Sequence, residues 1–494
     1  MHRNSPLLQK ARRESAKKGF HIPRRGRIRI VLLILLIAGG IWLYTGRKTP
    51  PEKNSTGQTT TTDTNSKKEI TSAPKKKHKA IKKKKHKKTT VKKPKKLSLE
   101  GVSKLIEQFP PSLTKETETI TFKNGTAQVH YSLDTALQRT NKKLFKRYHP
   151  KYGAAVVLEP ATGRVLSLIS YTREGEPFIG QNLFCKNIFP AASIFKIITA
   201  AAAVEKAALT AESKLRTLGS NHTLYLSQLV KEPRQFREIT FQEAFAYSIN
   251  PVFGRIGIFM LGADGLNEYA NKFGFNASIP FELTNDKPMY TYPDTGFTIA
   301  EVASGFNKRT TISPLFGALI AAGVSNSGKM YAPTIVDSIT DPSSQKNMYT
   351  REKTLWRMPV QPETADELMV LMKKVARYGT ARKSFRYIKQ SYRFKECNYG
   401  GKTGNVDKDD LGRVDWFVGF CRHRTDPAQH VAVGVVTVHD ENWTVHSSFL
   451  GAELMRKHIR QVQIRIKKHL QQEAKQRTGE KKQNDTANAA KHDG

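Results

Sequence analysis

The 494-residue chain is short of acidic residues, with 42 Asp and Glu against 83 Lys and Arg, which gives a formal net charge of +41. It also has only three cysteines, at positions 185, 397 and 421. Three cysteines do not make the disulfide framework of a small secreted domain, so a hydrophobic core must hold the fold. No Ser-His-Asp order with recognisable local context is present. Any nucleophilic chemistry in this chain therefore depends on another base.

Three short polar signatures occur in a fixed order, each within apolar sequence. They are Ser193-Ile194-Phe195-Lys196, then Ser248-Ile249-Asn250, then Lys402-Thr403-Gly404. The Ser-x-x-Lys spacing alone means little, because Ser15, Ser72 and Ser343 also precede a lysine by three residues. Only the first signature is followed by a long uncharged run, residues 197–204, which is typical of a buried helix with Ser193 in its first turn.

On such a helix Ser193 and Lys196 lie on one face, which makes the lysine a candidate base for the serine hydroxyl. Lysine acts as a base near neutral pH only if its pKa is lowered, and both burial and the charge of Lys402 have that effect. Ser248 is then a candidate proton relay between Lys196 and a leaving amine. Asn250 is a candidate for positioning Lys196 and a substrate amide.

The third signature predicts a strand from Tyr399 to Asn405, where glycines such as Gly404 let a ligand backbone approach closely. Lys402 and Thr403 suit a carboxylate. The backbone N–H groups of Ser193 and Asn405 are candidate donors to a developing oxyanion. Taken singly, each signature also fits a chance match, a helix cap or a glycine-rich turn. Taken together, they predict a serine acyl-transfer site.

In this order the signatures resemble the active-site motifs of penicillin-binding proteins, the serine D,D-transpeptidases and carboxypeptidases that build peptidoglycan. The similarity extends from about Val129 to about Leu454. Residues 154–166 resemble the hairpin that opens the family's catalytic domain, and residues 312–315, 326–333 and 416–420 resemble its later helix, loop and strand. The chain differs at Asn405, where transpeptidases more often carry a threonine or serine that helps to hold the substrate's carboxylate.

The resemblance implies an α+β fold, a mainly antiparallel sheet sandwiched by helices, with the nucleophile at a helix N-terminus beside an edge strand. The roles it implies are acylation of Ser193, base catalysis by Lys196, relay and positioning by Ser248 and Asn250, and carboxylate binding by Lys402 and Thr403. Neither a metal nor a cofactor is expected. The implied reaction expels the terminal D-Ala of a peptidoglycan stem peptide and passes the acyl group to an amine of a neighbouring stem. β-Lactams are expected to acylate the same serine as covalent inhibitors.

Alternatives to this function remain. A D,D-carboxypeptidase or endopeptidase resolves the same acyl-enzyme with water, and the choice depends on acceptor binding and water exclusion. A β-lactam receptor needs a signalling domain, which the sequence does not indicate, and an idle scaffold does not need the full set of chemical residues. The roughly 50 structured residues ahead of the catalytic domain are too few for a glycan-polymerising domain. We therefore expect a monofunctional enzyme that works with a separate glycosyltransferase.

Residues 28–45 form the most apolar run near the N-terminus, which is short for a membrane-spanning helix but workable with Trp42 and Tyr44 at an interface. Residues 1–29 carry ten lysines and arginines and one acid, so we expect residues 1–27 to be a basic cytoplasmic tail. No small-x-small cleavage pattern follows, which favours an uncleaved single-pass anchor over a signal peptide. The enzyme is thus expected on the exported (periplasmic or extracellular) side of the bacterial inner (cytoplasmic) membrane.

Residues 46–98 predict a lysine-rich, disordered and self-repelling linker. Residues 45–100 carry nineteen lysines and arginines against four acids, and the block Lys75–Lys96 contains no aromatic residue for base stacking. Because this block is expected outside the membrane, nucleic acid is not expected as a partner. A further hypothesis is that the block adsorbs to anionic membrane or wall polymers.

Residues 99–150 predict a small subdomain: a hairpin closed by Asn124-Gly125, then a helix capped by Asp134 with Leu137 and Phe145 on its apolar stripe. Residues 151–472 are assigned to the transpeptidase domain, and residues 473–494 to a disordered tail. Within the domain, a helix from Leu454 to Leu470 is expected to pack on the sheet. Its apolar positions are Ile459, Val462, Ile466 and Leu470.

The cysteines allow one geometric hypothesis. If the strand ending near Gly404 pairs antiparallel with one that starts near Val414, Cys397 and Cys421 stand opposite each other. Such a pair can bridge in an oxidising compartment, and two buried thiols are the alternative. Cys185 stays without a bridge in either case.

Overall fold

The computed structural model describes residues 97–122, 125–232, 235–391 and 394–492. The α-helices in these ranges are α1 Leu99–Gln108, α2 Thr135–Tyr148, α3 Lys196–Ala207, α4 Phe241–Ala246, α5 Asn250–Ile256, α6 Gly262–Phe273, α7 Gly296–Ser304, α8 Pro314–Ser325, α9 Pro362–Arg377, α10 Arg382–Gln390 and α11 Ser447–His492. The anchor predicted at residues 28–45 and almost all of the predicted linker lie outside the described residues. Among the helices in these ranges, none has both the length and the apolar character to span a membrane.

The strands in the described ranges number fifteen. They are β1 Thr117–Phe122, β2 Gly125–Tyr131, β3 Tyr152–Leu158, β4 Val165–Thr172, β5 Phe189–Pro190, β6 Lys214–Thr217, β7 Arg237–Thr240, β8 Thr311–Ile312, β9 Met330–Tyr331, β10 Val336–Thr340, β11 Asn347–Thr350, β12 Leu355–Arg357, β13 Cys397–Lys408, β14 Gly412–His423 and β15 Val431–His439.

The centre of the domain is a five-stranded antiparallel sheet in the order β13-β14-β15-β3-β4. The inner strands β3 and β15 are buried along their whole length, which explains their continuous apolar sequence. Helix α8 contacts Val418 and helix α11 contacts its neighbour Phe417, whose side chain points to the other face of the strand. The sheet therefore lies between helices, and the mixed helix and antiparallel-sheet fold expected from the sequence is confirmed.

The segment ahead of this sheet forms a hairpin and a capped helix. Strands β1 and β2 pair antiparallel, and β2 also pairs with β10 in a four-stranded sheet of order β1-β2-β10-β11. Asp134 caps α2 as predicted, since its Oδ1 accepts from the Leu137 N–H at 2.8 Å. Leu137 and Phe145 are buried in the same core as the central sheet. The hairpin and helix thus share one hydrophobic core with the catalytic region.

The register of β13 and β14 differs by two residues from the one that the cysteine hypothesis required. Lys408 pairs with Gly412 across a three-residue turn, so Cys397 stands opposite His423 and Cys421 opposite Tyr399. The predicted opposition of the two cysteines is wrong because the turn is centred one residue later than assumed. All three cysteines are thiols rather than disulfides. Cys397 and Cys421 are diagonal neighbours, and a hydrogen bond between them lowers the pKa of Cys397.

The C-terminal helix α11 follows the prediction only in part. Ile459 and Val462 are buried against the sheet, whereas Ile466 and Leu470 are 39% and 59% exposed. The helix therefore leaves the core after Val462. Residues 473–492, expected to be disordered, continue the same helix. Their sequence is rich in Lys, Glu, Gln and Ala, which are good helix formers. Because the first part of α11 is already helical where it packs on the core, these residues extend an existing helix and need no new nucleation.

Candidate active site

Ser193 lies in a tight 3-10 turn, Ala192–Phe195, that leads directly into α3. The helix predicted there exists, but its first turn is 3-10, a geometry that places residues three apart above one another. Ala192 has a φ of 47°, in the left-handed region. Gly305 packs directly against this turn. A Cβ added at Gly305 would lie 1.9 Å from the Ala192 carbonyl oxygen. Only glycine at position 305 leaves room for this turn.

Lys196 is fully buried beneath Ser193, with its Nζ 2.8 Å from the Ser193 Oγ. The same Nζ lies 2.8 Å from the Asn250 Oδ1 and also contacts the Ser304 carbonyl oxygen. Burial, and after it the charge of Lys402, holds the pKa of Lys196 well below its usual value. A neutral amine has two N–H donors and one lone pair. It can donate to Asn250 and Ser304 and accept the proton of Ser193.

The backbone turns sharply between α4 and α5, and this turn positions the side chains of Ser248 and Asn250. Ser248 has a φ of 57°, and Pro251 occupies the first turn of α5, where its missing N–H costs nothing. The Asn250 Nδ2 donates to the His222 carbonyl oxygen at 2.9 Å. With its Oδ1 on Lys196, both ends of this amide are satisfied, so the side chain is fixed in orientation.

Lys402 approaches the site from β13, the end strand of the central sheet, and is fully buried. Its Nζ donates to the Ser248 Oγ and to the Thr403 carbonyl oxygen, each at 2.9 Å. Burial lowers the pKa of Lys402 to about 7. The hydrogen bond of Ser248 therefore runs to Lys402 rather than to Lys196. The structure thus makes two lysine–serine pairs in one site.

The glycines of β13 allow close contact on both sides of the strand. A Cβ on Gly404 would lie 3.2 Å from the Ser193 backbone nitrogen and 3.3 Å from that of Ile194. A Cβ on Gly400 would lie 2.7 Å from the backbone nitrogen of Lys373 in α9. Beyond Gly404, Asn405 is exposed. The structure therefore places Gly404 beside the Ser193 N–H, and Asn405 follows it along the open edge of the sheet.

Sequence reasoning missed Thr380, which follows α9. Its Oγ1 lies 2.5 Å from the Oγ1 of Thr403, and its N–H donates to the Ala246 carbonyl oxygen at 3.1 Å. The preceding residue, Gly379, packs closely against the same carbonyl group. A Cβ added at Gly379 would lie 2.3 Å from the Ala246 carbonyl oxygen. Thr380 therefore links β13 to the segment just before Ser248. A glycine after an amphipathic helix was the only signal, and it does not indicate a partner.

Two more groups at the site were not predicted. The Ser304 carbonyl is a backbone group, which no residue pattern reveals. His222 is exposed beside the second signature, and desolvation, followed by the charges of Lys196 and Lys402, lowers its pKa. Across the described ranges, no group of three or more His, Cys, Asp or Glu side chains is arranged to hold a metal ion.

The α+β fold, together with a serine nucleophile whose candidate base is a buried lysine, defines the class of this protein as a serine acyltransferase. The model of the penicillin binding protein transpeptidase domain matches residues 153–457, and the chain belongs to that family. The match contains all three signatures.

Three known proteins show how far the similarity reaches. Peptidoglycan D,D-transpeptidase PbpA of Mycobacterium tuberculosis is 30% identical over 329 residues, 59% of this chain and 62% of that protein. Stage V sporulation protein D of Bacillus subtilis is 24% identical over 323 residues, 62% of this chain and 48% of that protein. The penicillin G acyl-enzyme structure of penicillin-binding protein A from M. tuberculosis aligns with a TM-score of 0.51 and 25% identity, covering 67% of this chain and 80% of that one. The chain thus spans about half to three fifths of these curated relatives.

Proposed function

We propose that this chain is a peptidoglycan D,D-transpeptidase that cross-links stem peptides through an acyl-enzyme on Ser193, and that β-lactams acylate the same serine. The hydrogen bonding of Lys196 is the observation that carries the proposal. Its buried amine has two acceptors, Asn250 Oδ1 and the Ser304 carbonyl, and faces the Ser193 hydroxyl with its remaining position. The related M. tuberculosis proteins, one named a D,D-transpeptidase and one solved as a penicillin G acyl-enzyme, support the same function.

In the acylation step, the Ser193 Oγ attacks the carbonyl carbon of the penultimate D-Ala while the neutral amine of Lys196 takes its proton. The oxyanion that forms accepts hydrogen bonds from the backbone N–H groups of Ser193 and Asn405. Ser248 gives its hydroxyl proton to the amine of the departing D-Ala and takes a proton from Lys402, its hydrogen-bond donor. The C–N bond breaks, and the stem peptide stays on Ser193 as an ester.

In the second step an amine of a neighbouring stem attacks this ester. Lys196 returns its proton to the Ser193 Oγ as the C–O bond breaks, and the amine loses a proton to the relay. A new amide joins the two stems and the enzyme is regenerated. Water in place of the amine would release the stem instead, which is the carboxypeptidase or endopeptidase alternative of the same site.

The terminal carboxylate of the donor stem is bound by the Lys402 and Thr403 end of β13 in this proposal. Lys402 supplies positive charge when protonated, and Thr403 supplies a hydroxyl that is already hydrogen-bonded to Thr380. Asn405, where the resemblance leads one to expect threonine or serine, contributes its backbone N–H rather than a hydroxyl.

The domain organisation proposed with this function places the enzyme on the exported (periplasmic or extracellular) side of the membrane, joined to its anchor by a linker. Residues 1–27 form a cytoplasmic tail, residues 28–45 an anchor in the bacterial cytoplasmic membrane, and residues 46–98 a linker that also adsorbs to anionic membrane or wall polymers. The charge distribution of the sequence supports this topology. The glycan strands that carry the stem peptides come from a separate glycosyltransferase in this proposal.

Labelling with a fluorescent penicillin tests the nucleophile. Wild type and Ser343→Ala should be labelled, and Ser193→Ala should not. Ser343 is a matched control because it also precedes a lysine by three residues, yet its Oγ donates to the Asp341 Oδ1 at 2.6 Å in an exposed turn. An unlabelled wild type would overturn the enzyme assignment, and a labelled Ser193→Ala would overturn the nucleophile.

A second measurement distinguishes the two reactions of the acyl-enzyme. A synthetic donor stem is incubated with and without an acceptor amine, and the products are separated by mass spectrometry. Transpeptidation predicts a cross-linked product that grows with the acceptor concentration. Release of D-Ala with hydrolysed donor as the sole product would assign the chain to the carboxypeptidase alternative.

A further inference from the structure

Helix α2 carries a row of four exposed cations that play no part in the active site. Arg139, Lys142, Lys143 and Lys146 are spaced by three and four residues, which places them on one side of the helix; we call them the cation row. Like charges at these spacings repel each other and destabilise a helix. Within the described ranges, none of these four side chains forms an ion pair or a hydrogen bond with another residue. Their positive charge is therefore not neutralised by the protein.

The cation row forms one wall of a cavity of about 430 Å³ between α2 and the edge strand β4. The opposite wall is apolar and comes from Leu168, Ile169 and Phe184. Four hydroxyl-bearing side chains also line the cavity: Ser112, Thr114, Thr135 and Ser170. A concave site with an apolar wall, a few hydroxyls and fixed charge has the size and chemistry of a small-ligand site. We call this cavity the α2 groove.

The α2 groove is held open by a buried amide. The Gln138 Nε2 donates to the Leu168 carbonyl oxygen at 2.7 Å, and its Oε1 accepts from the Leu168 N–H at 2.9 Å. These two bonds satisfy the backbone N–H and C=O groups of Leu168 on the side of β4 that no other strand pairs with. They also fix the distance between α2 and β4. A groove with fixed walls loses little entropy when a ligand enters it.

Two carboxylates stand at one end of the α2 groove, and both are engaged elsewhere. Glu116 accepts from the Thr135 Oγ1 at 2.9 Å. Glu118 accepts from the Tyr131 hydroxyl at 3.2 Å and from the Ser112 hydroxyl. Neither forms an ion pair with the cation row. The acids order the loop and the hairpin at that end, and the positive charge along α2 stays available.

We propose that the α2 groove binds a phosphate-bearing anion with at least two charged groups. The cation row extends over seven residue steps, from Arg139 to Lys146, or about 10 Å of helix, which exceeds the width of a single phosphate. Three of the four cations are lysines, which bind phosphate as point charges, and the planar fork of the arginine also matches phosphate oxygens. The apolar wall takes the uncharged part of the ligand. A diphosphate and a phosphodiester chain both have this chemistry.

This site is separate from the active site. Strand β4 is one edge of the central sheet and β13, which carries Lys402, is the other. Four strand spacings of about 4.8 Å lie between them. Binding in the α2 groove therefore does not depend on acylation of Ser193, and its test is independent of the proposed function.

Lysine footprinting on the full chain in detergent tests the site directly. Limiting acetic anhydride acetylates the lysines at low salt, with and without inorganic tripolyphosphate, and peptide mass spectrometry gives the rate at each position. Acetylation of Lys142, Lys143 and Lys146 should slow by at least about threefold. The exposed lysines Lys467 and Lys468 of α11 should be unaffected. Equal protection of both sets would mean a diffuse counterion effect and overturn the proposal.

Charge-matched variants give the affinity by titration calorimetry with tripolyphosphate. K142Q/K143Q/K146Q should weaken binding by about tenfold or more. K467Q/K468Q/K475Q, which removes the same charge from α11, should change it less than about twofold. Equal loss in both variants would overturn the site. Thermal melting shows whether the variants fold. If a variant does not fold, the lysine acetylation experiment on the wild-type chain decides whether the site exists.

Two further probes identify the chemistry and source of the anion. Vesicles that contain phosphatidylglycerol, compared with pure phosphatidylcholine, test a lipid headgroup. Protection of the cation-row lysines by these vesicles supports a lipid phosphate, and protection by tripolyphosphate alone supports a soluble one. Polyglutamate of equal charge that protects as well as tripolyphosphate would overturn the assignment to phosphate.

Discussion

The charge of Lys402 lowers the pKa of Lys196, in addition to the larger effect of burial. Both side chains are fully buried, and each lies within hydrogen-bond distance of a different serine, Lys196 with Ser193 and Lys402 with Ser248. A protonated Lys402 thereby favours a neutral Lys196. The two lysines are suited to different tasks, one as a base and one as a positive charge beside the substrate.

Replacing Lys196 tests its role as base. Lys196→Ala should lower the rate of acylation by benzylpenicillin by about 10²- to 10⁴-fold, the usual contribution of a general base. Lys206→Ala is the control, because Lys206 lies on the same helix but is exposed and paired with Glu268. Stopped-flow measurement of acylation gives both rates. Wild-type acylation in Lys196→Ala would exclude the lysine as base.

The two lysines predict a bell-shaped pH dependence of acylation. The rate constant at low penicillin concentration should rise with pH as Lys196 loses its proton. It should fall again as Lys402, whose pKa is about 7, loses the charge that holds the ligand's carboxylate. Arginine stays protonated, so Lys402→Arg should lose the falling limb even if its rate is lower. A rate that is flat from about pH 6 to pH 9 would contradict this assignment.

The same pKa shifts predict that stability rises with pH. Lysine in the unfolded chain has a pKa near 10.5, whereas the pKa of buried Lys402 is about 7. Between these values the unfolded state binds more protons than the folded state. Stability therefore increases with pH across this window, by up to about 1.4 kcal/mol per pH unit for each such group. The free-energy cost of burying the protonated amine is present in full at pH values below the folded-state pKa. It is absent above the unfolded-state pKa, where the amine is neutral in both states.

Urea unfolding between about pH 7 and pH 9 measures this slope. Lys402→Met should reduce the slope and raise stability near pH 7, because the side chain stays buried without a charge to neutralise. Lys467→Met, on the exposed part of α11, should leave the slope unchanged. An unaltered slope in Lys402→Met would show that Lys402 is not the titrating group.

The hydroxyl of Thr380 is predicted to help bind the carboxylate through Thr403. Thr380→Val keeps the volume and removes the hydroxyl, and it should weaken binding of benzylpenicillin by about three- to tenfold, as expected for the loss of one hydrogen bond between uncharged groups. Acylation by the penicillin methyl ester, which lacks the carboxylate, should change less. Thr380→Ser should restore binding. Equal effects on the acid and the ester would indicate a structural role only.

A side chain at Gly404 should obstruct the approach to Ser193. The added methyl of Gly404→Ala lies 3.2 Å from the Ser193 backbone nitrogen, one of the two proposed oxyanion donors. We expect acylation to fall by about tenfold or more, because a displaced donor costs transition-state stabilisation. Gly296→Ala is the control, since a Cβ there meets no atom within 4 Å. Comparable rates in the two variants would contradict the role of Gly404.

Much of the fold follows from local sequence. The apolar run after Ser193 indicates a buried helix, the continuous apolar sequence of β3 indicates a buried strand, and Asp134 indicates a helix start. These features depend on neighbours within a few residues, so their physical causes are present in the sequence. The order of the three signatures identified the candidate nucleophile and its neighbours for the same reason.

The contacts that complete the site were decided only by tertiary structure. The link between Thr380 and Thr403, the Ser304 carbonyl on Lys196 and the hydrogen bond of Ser248 to Lys402 join segments that are far apart in the chain. The cysteine hypothesis was wrong for a related reason, since a turn centred one residue later shifts the pairing by two residues. Sequence determines which residues can do the chemistry. Packing of distant segments determines which of them meet, because those distances depend on the whole core.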